Sequence, residues 1–78
     1  MKVDINFEIH EENEQKYLID KCLEAKQKYN EQFHRDPVVL IMNKQIGTFF
    51  EEIFNIEEIH TFFGTPVIIT PLEVVEYF

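Results

Sequence analysis

The sequence predicts a two-layer α+β domain, with a mixed sheet of four or five strands and two helices packed on one face. Three stretches carry this prediction: PVVLIMN predicts a strand, QIGTFFEEIF an amphipathic helix and IHTFFGTPVIIT a hairpin. A strand and a helix are predicted before them, so the order is β-α-β-α-β-β. The ending LEVVEYF predicts one extra C-terminal strand, with a frayed tail or a short helix as the alternatives.

The first half of the chain predicts an edge strand followed by a helix. Apolar residues alternate with polar ones at Val3, Ile5, Phe7 and Ile9. This period of two is typical of a strand with one buried face. Asn13 is the predicted N-cap of a helix that runs to about His34, where Asp36 and Pro37 stop it. Apolar residues recur near the helical period at Leu18, Cys22, Ala25, Tyr29 and Phe33.

The second half predicts the centre of the sheet. The unbroken apolar run Val38 to Met42 indicates a central strand covered on both faces. Asn43 is the predicted N-cap of the second helix, whose apolar stripe is Ile46, Phe49, Phe50, Ile53 and Phe54. A strand over Ile56–Phe62, a turn at Phe63-Gly64-Thr65 and a strand over Val67–Thr70 form the predicted hairpin.

Length and charge limit the classes of function. The 78 residues predict a single domain over 1–78, and the net charge of −8 disfavours binding to nucleic acid or to anionic membranes. The single cysteine, Cys22, is predicted to be a buried thiol in a reducing compartment. The N-terminus has no apolar run of signal-peptide length, and the longest apolar run is too short to span a bilayer. We therefore expect a cytoplasmic protein.

Residues that could carry chemistry are few. The chain has no serine and only two glycines, which excludes serine nucleophiles and glycine-rich phosphate loops. His10, His34 and His60 lack metal-ligand spacing, so we predict no metal, no cofactor and no catalytic residue. A metal protein or enzyme that uses His60 with Glu58 stays open as an alternative.

Two surfaces are candidate binding sites. The carboxylates Glu51, Glu52, Glu57 and Glu58 form a candidate acidic face, which as an alternative function would mimic nucleic acid and bind a basic partner. Aromatic residues exceed what a small helix-on-sheet core covers on one side, so the uncovered face must be polar or must meet a partner. The candidate interface is Phe62, Phe63, Tyr77 and Phe78.

One segment resembles a known family. VVLIMNKQIGTFF followed by FFGTPVIITP is similar to a segment of small phage- and prophage-encoded proteins and of one domain of the HK97-type major capsid protein. The matching residues are Ile41, Met42 and Asn43, then Gly64, Pro66, Val67 and Ile68. The resemblance implies a phage-like accessory or assembly protein without enzymatic activity, associated with the virion if it is structural.

These observations together predict a non-enzymatic protein–protein interaction or assembly protein. We expect its partner to be a protein or a second copy of the chain, in contact through an exposed strand edge or the C-terminal aromatics.

Overall fold

The fold is described by a computed structural model over residues 1–5 and 14–78. In chain order its elements are helix α1 (Glu14–Phe33), strand β1 (Leu40–Asn43), helix α2 (Lys44–Phe54) and strands β2 (Thr61–Phe62), β3 (Thr65–Thr70) and β4 (Val75–Tyr77). The four strands form one mixed sheet in the order β2-β3-β1-β4. The predicted α+β class is confirmed, and the ending of the chain is a strand rather than a tail or a helix.

The strand β1 lies inside the sheet, as predicted. It pairs in parallel with β3, where Leu40 lies opposite Val67, and antiparallel with β4, where Leu40 lies opposite Tyr77. The parallel pair is joined through α2, which begins directly after β1. Asn43 caps this helix as predicted, since its side-chain oxygen accepts hydrogen bonds from the backbone N–H groups of Gln45 and Ile46.

Both helices pack on the same face of the sheet. The Tyr77 hydroxyl donates a hydrogen bond of 2.9 Å to the backbone carbonyl of Cys22 in α1. Gly47 of α2 lies so close to the same face that a Cβ at this position would be 2.7 Å from Cδ1 of Ile69 and 3.7 Å from the sulfur of Met42. Strand alternation places Met42, Ile69 and Tyr77 on one side of the sheet. The layered arrangement predicted from the sequence is therefore confirmed.

The core lies between this face and the helices. Its fully buried side chains come from both layers and are Cys22, Leu40, Met42, Phe50, Phe62, Val75 and Tyr77. Three of them are aromatic, and the Phe50 and Phe62 rings stack with their centroids 5.1 Å apart.

The predicted N-terminal strand is only partly within the described residues. Lys2 forms an isolated antiparallel bridge with Glu76, and the backbone N–H of Val3 donates to the carbonyl of Val75 over 2.8 Å. Val3 and Ile5 are buried, as the alternation predicts. Phe7 and Ile9, like His10 and the predicted cap Asn13, lie outside the described residues.

Two strand predictions need correction. The run Val38–Met42 is not covered on both faces: β1 begins at Leu40, Val38 is exposed, and Ile41 is only partly buried because both helices lie on the other side. The strand predicted over Ile56–Phe62 is reduced to Thr61–Phe62. Asn55 ends α2 in the left-handed conformation, with φ 55° and ψ 50°, and a connection without regular structure follows it.

Candidate interaction surface

The predicted aromatic interface is divided by the fold. Phe62 and Tyr77 are 1% and 0% exposed, so they belong to the core and are not available to a partner. Phe63 and Phe78 are 54% and 50% exposed. The strand period of two explains the exposure of Phe78: Tyr77 points toward the helices, so its neighbour Phe78 must lie on the opposite side. Sequence reasoning could have found this split, since neighbouring residues of a strand never share a face.

Phe78 belongs to the helix-free side of the sheet, which we call the open face. Phe78 and Val39 exchange two backbone hydrogen bonds, of 2.9 and 3.2 Å, and so extend the β1–β4 ladder by one pair. In the pairing of β1 with β3, Ile41 lies opposite Ile68. Alternation from the buried residues Leu40, Met42 and Tyr77 places the apolar residues of the open face at Val39, Ile41, Pro66, Ile68 and Phe78.

The open face is apolar and exposed to solvent. Ile68 is 56% exposed and Pro66 is also exposed, while Val39 and Ile41 are partly exposed. The parallel register of β1 with β3 and the antiparallel register of β1 with β4 bring these side chains into two adjacent rows. Sequence reasoning missed Ile41 and Ile68 as surface residues, because a run of apolar residues is also typical of a strand covered on both sides.

Charges at the edge of the open face come as opposite pairs. Lys2 and Glu76 lie opposite each other at the outer strand edge, and the Met1 ammonium group is 3.7 Å from a carboxylate oxygen of Glu76. Thr61 and Thr70 lie on the same side of the sheet along β2 and β3. Asp4 is exposed and alternates with the buried Val3 and Ile5, so it lies on the same side as Lys2. Two positive groups, of Met1 and Lys2, and two negative groups, of Asp4 and Glu76, therefore balance at this edge, although the chain as a whole has a net charge of −8.

One residue of the candidate acidic face, the half-buried Glu51, also has a structural contact. A carboxylate oxygen of Glu51 accepts a hydrogen bond of 2.8 Å from the backbone N–H of Ile59 and so holds the connection between α2 and β2. Glu52, Glu57 and Glu58 are exposed. Glu52 lies near the end of α2, and Glu57 and Glu58 lie in the connection after it.

The two histidines within the described residues, His34 and His60, are not part of a metal-binding cluster. Within residues 1–5 and 14–78, no three His, Cys, Asp or Glu side chains are placed to share a metal ion. His60 lies 3.9 Å from Glu58, and both side chains are about three-quarters exposed, at 76% and 74%. His34 ends α1 with a φ of 55° and a backbone hydrogen bond to Asn30. His10 lies outside the described residues.

The surface of the described residues includes depressions on both helices. One, of about 340 Å³, runs along the outer side of α2 and is lined by Lys44, Gln45, Thr48, Phe49 and Glu52. Another, of about 150 Å³, lies between the N-terminal segment and α1, where lysines and carboxylates alternate. Lys28 there pairs with Glu24 over 3.0 Å and is the main cause of the lowered pKa of that carboxyl group.

Two groups of the core, the Cys22 thiol and the Tyr77 hydroxyl, have a raised pKa and stay protonated at neutral pH. Burial raises the pKa of the Cys22 thiol to about 12, so it is protonated and unreactive at neutral pH. Burial, with the neighbouring Cys22 as a smaller contribution, also raises the pKa of the Tyr77 hydroxyl. Every buried side-chain nitrogen or oxygen of the described residues has a hydrogen-bond partner.

The chain matches no family model, no curated protein and no solved structure. Neither helix of the described residues is long and apolar enough to cross a membrane.

Proposed function

We propose that this protein is a non-enzymatic interaction protein that associates with a second copy of itself through the open face. The observation that carries the proposal is the exposed apolar surface of Val39, Ile41, Pro66, Ile68 and Phe78 on the side of the sheet that has no helix. Burial of such a surface is favourable by roughly 25 cal/mol per Å², and two sheets pack face to face readily at a separation of about 10 Å.

Charge favours a second copy as the occupant of this face. In a two-fold dimer the same patch meets itself, so Lys2 of one copy can lie near Glu76 of the other. Among residues 1–5 and 14–78, Asp4 is a further charged residue on the side of Lys2, and the Met1 ammonium group offsets its charge. The repulsion between two copies, each with a net charge of −8, then comes from the rest of the surface and is screened by salt.

The size of the face predicts a weak dimer. Strands about 4.8 Å apart with a rise of about 3.3 Å per residue give the four neighbouring segments a footprint of roughly 300–400 Å². A standard interface covers about 800 Å² per partner. We therefore expect a dissociation constant in the micromolar to millimolar range and an association that strengthens as salt increases.

Sedimentation equilibrium from about 10 µM to 1 mM protein, at low and high salt, tests the proposal. We expect a monomer–dimer equilibrium that Ile68→Glu shifts to monomer by at least about tenfold. The matched control is Gln45→Glu, which adds the same charge on the exposed side of α2, in the opposite layer, and should leave the equilibrium unchanged. A monomer throughout the range, or equal effects of the two variants, would refute self-association through this face.

The biological setting is a further part of the proposal. A role in phage or prophage assembly is supported by the resemblance of the segments around Met42 and Pro66 alone, and a cytoplasmic or virion location follows from that role. The acidic alternative predicts that salt weakens binding to a basic protein, whereas the dimer through the open face should strengthen with salt. The two functions are therefore distinguished by the sign of the salt effect.

A further inference from the structure

The tip of the β2–β3 hairpin has an unusual residue for its conformation. Phe63 and Gly64 form the two-residue loop between Phe62 and Thr65, which lie opposite each other. Their φ angles are 46° and 85°, so both are left-handed. Two-residue loops with positive φ at both positions favour Asn-Gly, Asp-Gly or Gly-Gly, because a Cβ is disfavoured there. Gly64 fits this preference and Phe63 does not.

The fold uses only part of the ring of Phe63. Its ring makes edge contacts with Phe62 and Phe54, at centroid distances of 4.8 and 6.4 Å, yet 54% of the residue remains exposed. A hydrogen bond of 2.6 Å from the Lys26 ammonium group is made to the backbone carbonyl of Phe63 and does not depend on the side chain. A smaller polar residue would keep that bond and suit the turn better.

We propose that Phe63 is a binding residue, whose ring inserts into the apolar side of a basic amphipathic helix of a partner protein. A residue kept in a disfavoured conformation with its side chain in water is more readily explained by binding than by folding. Aromatic side chains are strong interface anchors. This inference is independent of dimerisation through the open face.

The surroundings of Phe63 indicate the chemistry of the partner. Phe54, the last residue of α2, is 38% exposed and its ring contacts that of Phe63, and Ile56, two residues further along the chain, is 44% exposed. Exposed carboxylates stand before and after them in the chain, at Glu52, Glu57 and Glu58. Lys26, whose ammonium group donates to the Phe63 carbonyl, is one cation beside these three carboxylates, so the neighbouring charges are negative on balance. A surface that is apolar at its centre and negative on balance is complementary to a helix that has one apolar side and lysines or arginines beside it.

Titration with a synthetic 14-residue helix of leucine and lysine, labelled for fluorescence anisotropy, tests the inference. We expect saturable binding that Phe63→Asn weakens by at least about tenfold, without lowering the melting temperature. Phe63→Asn leaves the net charge unchanged, so its effect separates the ring from general attraction to a cationic peptide. The double variant Glu57→Gln, Glu58→Gln should weaken binding and reduce its salt dependence.

The matched control is Phe78→Asn, which makes the same substitution on the open face and should leave peptide binding unchanged. Binding by Phe63→Asn within about twofold of wild type, or an equal loss in Phe78→Asn, would overturn the inference. So would the absence of saturable binding. A large fall in melting temperature on Phe63→Asn would show that the ring is held for stability, and would overturn it as well.

Discussion

Replacement of Asn43 by alanine should be among the most destabilising polar substitutions in this domain. The residue is 4% exposed and makes two sets of hydrogen bonds. Its oxygen accepts from the N–H groups of Gln45 and Ile46, at 2.9 and 3.3 Å, and its amide nitrogen donates to the carbonyl of Leu72 over 2.8 Å. One side chain therefore fixes both the start of α2 and the connection from β3 to β4.

The magnitude follows from these two contributions. Loss of an N-cap costs about 1 kcal/mol, and loss of a buried hydrogen bond costs about 0.5–1.5 kcal/mol. Asn43→Ala should therefore lower the free energy of unfolding by about 2 kcal/mol, which for a domain of this size corresponds to a fall in melting temperature of about 10 °C. Asn43→Ser keeps a capping oxygen but cannot donate to Leu72, so we expect about half that loss.

Urea unfolding followed by circular dichroism measures these differences at constant m-value. The exposed neighbour Lys44 provides the control, since Lys44→Ala should change stability by less than about 0.5 kcal/mol. A loss below about 0.5 kcal/mol for Asn43→Ala would refute the assignment of two structural contacts. Equal losses for the alanine and serine variants would refute the contribution of the cap.

Two further predictions concern Glu51 and the buried acidic groups. Glu51→Ala should lower the free energy of unfolding by about 1 kcal/mol, because the Ile59 N–H loses its acceptor, whereas Glu52→Ala should be nearly neutral; equal urea midpoints for the two variants would contradict this. The pKa values of Cys22 and Tyr77 are raised in the folded state above their ordinary values of 9.0 and 10.0. The contribution of these two groups to stability is therefore full below those values and is lost as the pH rises above them. The urea midpoint measured at pH 7, 9 and 10.5 should show this loss, and Cys22→Ala should reduce it; a midpoint independent of pH would contradict the assignment.

Sequence reasoning succeeded where the signal is local. The cap at Asn43 and the turn at Gly64 depend on the chemistry of one or two residues, and both are present as predicted. The stripe of α2 is confirmed in part: Ile46 and Phe50 are buried, Phe49 and Ile53 are half-buried, and Phe54 is 38% exposed.

The failures have a common physical cause, which is that burial depends on partners far away in the chain. The apolar run around Ile41 has the same composition whether the second face meets a helix or stays open, so sequence pattern alone could not show that it stays open. The β-branched and aromatic residues between Ile56 and Phe62 favour a strand locally. The left-handed cap at Asn55 and the bond from Ile59 to a helix side chain override that preference.

The pairing of the first residues with β4 has a consequence for folding. The backbone N–H of Tyr77 donates to the carbonyl of Met1, and that of Val3 donates to Val75, so this edge of the sheet joins residues more than seventy positions apart in sequence. Closing so long a loop has a high entropic cost, and contacts of this kind form slowly. The pairs of β1 with β3 and with β4 join residues no more than 37 positions apart and can form first. Until the N-terminal residues pair with β4, the outer side of β4 then offers unpaired N–H and C=O groups. The last step of folding is therefore also the one that protects the chain from pairing with another copy through this strand edge.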